Sequence, residues 1–222
     1  MSSHTLFLVK DLDVEKLVED LRKVMTDPEV KNVVWSRMRS FEGLRSGTPE
    51  EVFKELVFCI LAANFSASRS LMIVEELGDK LLRLELSDLA KELRRLGHRY
   101  PEARARYIVE ARERLQEIVD AVRSIDDELR LREWLVENVK GFGLKEASHF
   151  LRNIGFKNLA IIDFHILRIL RRYGLIEEFR SLTRRRYLEV ERLLRGIAER
   201  LGISVAELDL YLWYMDSGRI LK

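Results

Sequence analysis

The sequence predicts an all-α fold, on three observations. Apolar positions recur at helical spacing in nearly every segment of the 222 residues, the pattern of helices with one buried face. No run alternates polar and apolar residues with the period of two that a half-buried strand needs. Glycine and proline are scarce, at 11 and 3 residues, about half the roughly 12% of ordinary proteins. That scarcity argues against the many tight turns of a sandwich or barrel.

Element by element, Leu12, Leu17, Val18, Leu21 and Val24 mark a first helix, interrupted at Asp27–Pro28. Thr48–Pro49–Glu50–Glu51 is a start signal, with an N-cap, a proline at the first helical position and a glutamate three residues after the cap. The helix it opens (Phe53, Leu56, Val57, Ile60, Leu61) is apolar almost all round and should lie at the centre of a core. Helices are expected over about 67–83 and 86–96. Tyr100–Pro101 opens another, with Tyr107, Ile108, Ala111 and Leu115 on one face. Further helices should span about 124–139, 145–153, 164–173, 184–201 and 204–217. With no tandem repeat or flexible linker, the helices are expected to form two subdomains, about 49–140 from the middle of the chain and 1–48 plus 141–222 from its ends. A groove between the two would be the natural ligand site.

Composition narrows the chemistry. The chain is 34% charged yet 47% hydrophobic, so a core can form and global disorder is excluded. A single glutamine, Gln116, beside abundant Glu and Arg looks thermophilic. Cys59 is the one cysteine, which forbids an intrachain disulfide and a four-cysteine iron–sulfur cluster. MSSHTLFLVKDLD lacks an apolar core of signal-peptide length, and no stretch approaches the 18 or so apolar residues of a membrane span. A soluble intracellular, cytoplasmic protein is the expectation. The net charge of +2 hides a polarity, because residues 140–222 hold 16 Lys/Arg against 10 Asp/Glu. A locally basic part suits a polyanion such as nucleic acid.

The chemistry concentrates in Val136–Arg168. A helix ends near Lys140, Gly141–Phe142–Gly143 makes a tight turn, and a second helix starts near Leu144. Glycines there permit positive φ and close backbone approach, and the N–H groups at the new helix start would face a phosphate. This is the pattern of a helix-hairpin-helix that grips a nucleic-acid backbone, although an ordinary corner with a glycine C-cap fits the same residues. Lys145 falls in the first turn, where the macrodipole disfavours a cation. It is a candidate nucleophilic amine or, more simply, a solvated lysine. Asp163 stands 18 residues on, after the apolar run Leu159–Ile162 and immediately before another helix. Capping alone explains an aspartate there, and capping is compatible with a second role, since backbone N–H bonds favour a charged carboxylate.

GFGLKEASHFLRNIG followed by AIIDFHILR resembles the helix-hairpin-helix plus Gly/Pro-Asp signature of the DNA glycosylase superfamily. The form K-G-F-G-x-K-E-A-S-H-F-L-R-N is specifically similar to the compact 8-oxoguanine DNA glycosylase/AP lyases found mainly in archaea. The likeness takes in LVFCILAANFSAS, RYPEARARYIVEAR and LDLYLWYMDSGRILK as well, and so spans most of the chain. One departure is Ile162, where the superfamily often has Pro or Val.

The resemblance implies a bifunctional base-excision repair enzyme, a DNA N-glycosylase and AP lyase, with Lys145 as nucleophile and Asp163 as essential carboxylate. It places Lys140, Gly141, Phe142 and Gly143 on the DNA backbone and Asn64 in the space left by an extruded base. Trp213 becomes a stacking platform, Tyr100 its opposite face and Lys222 a residue at the base pocket. Asp209, Trp213, Asp216 and Ser217 share a helix face by i+3 and i+4 steps. A carboxylate among them could read the N7–H that distinguishes 8-oxoguanine from guanine. Each residue also has a plainer reading: Trp213 as core, Tyr100 as an aromatic before proline, Asp209 and Asp216 as solvated charges, Asn64 as a loop cap. Arg69, Arg104, Arg106, Arg168, Arg171 and Arg172 are candidates to touch phosphates, and His149 and His165 are read as packing or phosphate-facing residues. No cofactor or metal is expected, and the partner would be double-stranded DNA containing 8-oxoguanine, bound by a monomer. A non-catalytic DNA-binding module and a same-scaffold glycosylase for another damaged base are the alternatives.

Overall fold

The computed structural model describes residues 11–220, and among them every regular element is helical. Lys222 lies outside the described residues. In chain order the α-helices are α1 (Asp11–Met25), α2 (Pro28–Arg45), α3 (Pro49–Ala62), α4 (Ala67–Leu77), α5 (Leu86–Arg95), α6 (Pro101–Glu113), α7 (Leu115–Ser124), α8 (Glu128–Asn138), α9 (Leu144–Asn153), α10 (Phe164–Arg172), α11 (Arg184–Leu201) and α12 (Val205–Ser217). None of these is long and apolar enough to cross a membrane.

Local chemistry explains most boundaries. Thr48 caps α3 through its hydroxyl, which accepts from the Glu51 N–H at 3.2 Å, while the Glu51 carboxylate accepts from the Thr48 N–H at 2.8 Å. Ser204 and Glu207 repeat that box at α12. Asp27–Pro28, read from the sequence as an interruption, is also a start: the Asp27 carboxylate accepts from the Glu29 N–H at 2.9 Å and Pro28 opens α2. On α2, Val30, Val34, Met38 and Phe41 are buried at helical spacing, a signal the sequence already carried. The helix expected over 67–83 stops at Leu77 because Gly78 takes a φ of +47°, and a short 3-10 turn follows. Leu115 starts α7 instead of continuing the face of α6.

The chain divides into two units, one formed by Phe41–Phe156 and the other by the helices up to Ser40 together with Lys157–Ile220, so the division runs through α2. In the first, α3 is the centre, packed by α4, α6, α7 and α9, with Val52, Phe53 and every residue from Glu55 to Ala62 buried. The sequence expectation put α9 with the chain ends. It instead packs on α3 and α8 through Ala147, Phe150 and Leu151. Its last residue, the buried Asn153, donates to the Glu55 carboxylate on α3 at 2.5 Å and accepts from Arg152 at 2.9 Å. A buried carboxylate and amide that satisfy each other tie α9 to α3 more specifically than apolar contact alone.

In the second unit α1, α11 and α12 pack on one another and α10 packs on α12. The segment leading to Asp163 is pinned by three hydrogen bonds. The Ala160 N–H donates to Glu191 at 3.0 Å, the Tyr187 hydroxyl donates to the Ala160 carbonyl at 2.6 Å, and the Ala206 N–H donates to the Lys157 carbonyl at 3.0 Å. Leu159, Ala160, Ile161 and Ile162 are all buried, as the apolar run required.

The turn from α8 into α9 depends on Gly141. Its φ is +86°, and a Cβ there would fall 2.6 and 2.8 Å from two carbons of the Tyr107 ring. Both the backbone and the space therefore select glycine. Gly141→Ala should destabilise the protein by about 1–3 kcal/mol, read from the midpoint of a urea titration at unchanged slope. A midpoint indistinguishable from wild type would mean that the ring and the turn move aside freely.

Candidate active site

In the first unit the hairpin presents a charged, exposed outer edge on a buried anchor. Lys140 and Gly141 are exposed, whereas Phe142 turns its ring inward, 6.1 Å from Phe150, and its N–H donates to the Val139 carbonyl at 3.1 Å. Of the residues expected at a DNA backbone, Phe142 therefore offers main chain only. The Gly143 N–H donates to the Glu146 carboxylate at 3.2 Å, and a glutamate in the first turn complements the helix dipole. Lys145 is the second residue of α9, its side chain 30% exposed, with Nζ 3.6 Å from the Glu146 carboxylate. That distance is an ion pair without a proper hydrogen bond, so the amine is only loosely held.

Asn64 and Tyr100 belong to the same unit. Asn64 is exposed and adopts a φ of +57°, the one non-glycine with a positive φ among the described residues. It does not cap the following helix, because Ser66 does, accepting from the Arg69 N–H at 3.4 Å. Tyr100 precedes Pro101, and the Arg99 guanidinium lies 5.1 Å from the centre of its half-exposed ring. Its N–H donates to Nδ1 of the buried His98 at 3.1 Å, and burial pushes the His98 pKa down.

In the second unit Asp163 is the N-cap of α10. One carboxylate oxygen accepts from the His165 and Ile166 N–H groups at 2.9 and 3.0 Å. The other accepts from the indole Nε1–H of Trp213 on α12 at 3.3 Å. The Trp213 ring in turn lies 4.6 Å from the His165 ring, inclined at 52°. Two backbone donors and one indole donor thus fix the carboxylate's orientation, and the indole bond is the longest of the three.

The acidic residues of α12 have separate surroundings. Asp209 is buried beside Ile161, Ile166 and Leu194. The Asp216 carboxylate, 1% exposed, accepts from His165 Nδ1 and from both Nε (2.9 Å) and Nη2 of Arg168, with Arg172 at 3.4 Å. Sequence reasoning treated Arg168 and Arg172 as phosphate contacts and missed this cluster. The signal was the i, i+3 spacing of His165 and Arg168 after the aspartate. Among the described residues no three His, Cys, Asp or Glu side chains gather as a metal site.

Burial pushes the Asp216 carboxyl pKa up, but the hydrogen bonds from Arg168 and His165 outweigh it and hold it below the usual carboxylate value. A group lowered on folding stabilises the protein above its unfolded pKa and loses that contribution as pH falls through the folded value. Asp216→Asn should therefore lower the melting temperature at neutral pH, with the gap to wild type closing only in strong acid. Thermal melts over a pH series check this, and a gap independent of pH would contradict it.

A family model described as 8-oxoguanine DNA glycosylase matches residues 34–203. A relative from Korarchaeum cryptofilum named 8-oxoguanine DNA glycosylase/AP lyase is 53% identical over 212 residues, covering 95% of this chain and 100% of its own length. The crystal structure of the Methanocaldococcus jannaschii 8-oxoguanine glycosylase/lyase in complex with a 15mer DNA containing 8-oxoguanine superposes with a TM-score of 0.89 at 44% identity, covering 93% of this chain and 100% of that one. That of the Thermotoga maritima 8-oxoguanine DNA glycosylase gives 0.86 at 44% identity, over 94% and 100%. With the hairpin, the first-turn lysine and the capping aspartate in place, this chain belongs to the 8-oxoguanine DNA glycosylase family.

Proposed function

We propose that the protein is a bifunctional DNA repair enzyme that excises 8-oxoguanine and then cleaves the strand at the resulting site, the whole chain acting as one glycosylase unit. The observation that carries the reading is the family's full-length likeness together with an accessible, loosely paired amine at the first turn of α9. A glycosylase that activates only water needs a carboxylate and no such lysine.

In this reading Lys145 attacks C1′ of the damaged nucleotide through its neutral amine, as the bond from C1′ to N9 breaks and the base leaves with the electron pair. Positive charge develops on the sugar, and the Asp163 carboxylate stabilises it. The ring oxygen then leaves C1′ and takes a proton, giving a Schiff base between Lys145 and the opened sugar. That cation acidifies a hydrogen on C2′, and its loss expels the 3′-phosphate by β-elimination. Water finally returns the free amine.

Before chemistry the base must leave the stack. Lys140, Gly141, Phe142 and Gly143 would line the DNA backbone, the lysine supplying charge and Phe142 and Gly143 shaping the turn while their own N–H groups stay on Val139 and Glu146. Asn64 would occupy the vacated space, and Tyr100 and Trp213 would offer faces for the base. Asp209, Asp216 and Lys222 are the polar candidates for reading its edge, Asp216 through the His165 it holds.

Borohydride trapping tests the assignment. Wild type should form a covalent complex with an 8-oxoguanine duplex and Lys145→Gln none, while Asp163→Asn should trap at least about 100-fold more slowly. No trap from wild type leaves a DNA-binding module. A trap confined to a different damaged base in a panel of single-lesion duplexes moves the specificity to that base.

A further inference from the structure

We infer that Arg104 is a positioning residue for Asn64, holding the turn after α3 in the shape that base extrusion requires. The inference rests on the reading of Asn64 as the residue that fills the vacated space.

A helix end leaves carbonyls without partners, and a side chain bearing a Cβ is disfavoured in the left-handed region even when it is asparagine. The turn after α3 combines both burdens, with Ala63 at φ −63° and ψ 112° followed by Asn64 at φ +57°. Its own hydrogen bonding includes the Phe65 N–H donating to the Ala62 carbonyl at 3.2 Å. Further support comes from a distant segment. Arg104 Nη2 donates to the Ala63 carbonyl, immediately before Asn64, at 2.6 Å. His98 Nε2 lies 3.0 Å from the Leu61 carbonyl, and since Nδ1 accepts from the Tyr100 N–H, Nε2 is the donor. The two grips fasten the carbonyls on either side of Ala62.

Arg104 is only 7% exposed, so it is turned away from solvent phosphates, contrary to its place among the expected phosphate contacts. Its guanidinium lies 5.8 Å from the centre of the Tyr100 ring and 5.6 Å from that of Tyr107, the ring for which Gly141 leaves room. Glu146, which caps Gly143 and pairs with Lys145, attracts the same charge. One cation therefore touches the Asn64 turn and the Tyr100 ring and lies against the hairpin. Burying a guanidinium is unfavourable, the more so because the Arg104 Nε has no hydrogen-bond partner, and a hydrophobic residue would fill the space without that burden. What only arginine supplies is the directional bond to Ala63 together with the flat cationic face on two rings.

Single-turnover excision from an 8-oxoguanine duplex, set beside borohydride trapping on a duplex that already contains an abasic site, separates positioning from mere stability. Arg104→Met should slow excision about tenfold, by a factor similar to Asn64→Ala, and the double variant should be no slower than the slower single one. Arg104→Lys should recover part of the rate, and abasic-site trapping by Arg104→Met should change far less than excision. A slow Asn64→Ala beside an unaffected Arg104→Met overturns the inference alone. So do effects that multiply in the double variant, or an equal loss in both assays. An Asn64→Ala as fast as wild type overturns the reading of Asn64 and the inference with it. If Arg104→Met does not fold, Arg104→Lys takes its place under the same criteria.

Discussion

The carboxylate of Asp163 meets the demand of its own helix and, in the proposed function, that of the chemistry with one geometry. A helix start needs an acceptor for its first N–H groups, and the His165 and Ile166 N–H groups find it in one Asp163 oxygen. Stabilising a sugar cation needs a carboxylate whose direction is set before the substrate arrives. The cap supplies most of that direction, because a side chain bonded to its own helix cannot swing freely. The other oxygen meets the Trp213 indole, so the aromatic surface on α12 and the carboxylate on α10 are set together. His165 and Asp216 extend the arrangement: the imidazole lies against Trp213, and the Asp216 carboxylate, held by Arg168, keeps it there.

The first unit solves a different problem, presenting a lysine at a helix start without burying its charge. Glu146 is the economical answer. It caps the Gly143 N–H, lies within ion-pair distance of Lys145 and attracts the Arg104 cation, so a single carboxylate serves the turn, the amine and the arginine behind them. A looser pairing than a hydrogen bond leaves the amine able to exchange that partner, as the proposed attack on a sugar requires. The α3 core and the bond from Asn153 to Glu55 make this possible, because α9 cannot tilt without breaking a buried polar contact.

Much of this was legible in the amino-acid order, wherever the cause was local. The Thr48 and Ser204 boxes, the Asp163 cap, the Gly141 turn and the apolar approach Leu159–Ile162 follow from residues within four positions of one another. The periodicity of α3 announced a fully buried helix, and the first-turn position made Lys145 a candidate amine to which the resemblance then gave a role. Two of the misreadings were also local in origin. Asp27–Pro28 breaks one helix and starts another, and a glycine at position 78 ended a helix whose apolar pattern continued.

What only the tertiary structure decided are the partnerships between segments far apart in the chain. His98 and Arg104 reach carbonyls 37 and 41 residues away, and Asp216 meets Arg168 from 48 residues away. Whether an aspartate on a helix face meets solvent, a base or an arginine depends on which helix lies opposite, and no spacing within its own helix contains that information. The same holds for α9, whose sequence shows an amphipathic helix but not the buried glutamate that claims its last amide. Periodicity and caps are encoded by neighbours in sequence. The pairing of buried polar groups is encoded by neighbours in space, and those exist only once the chain has folded.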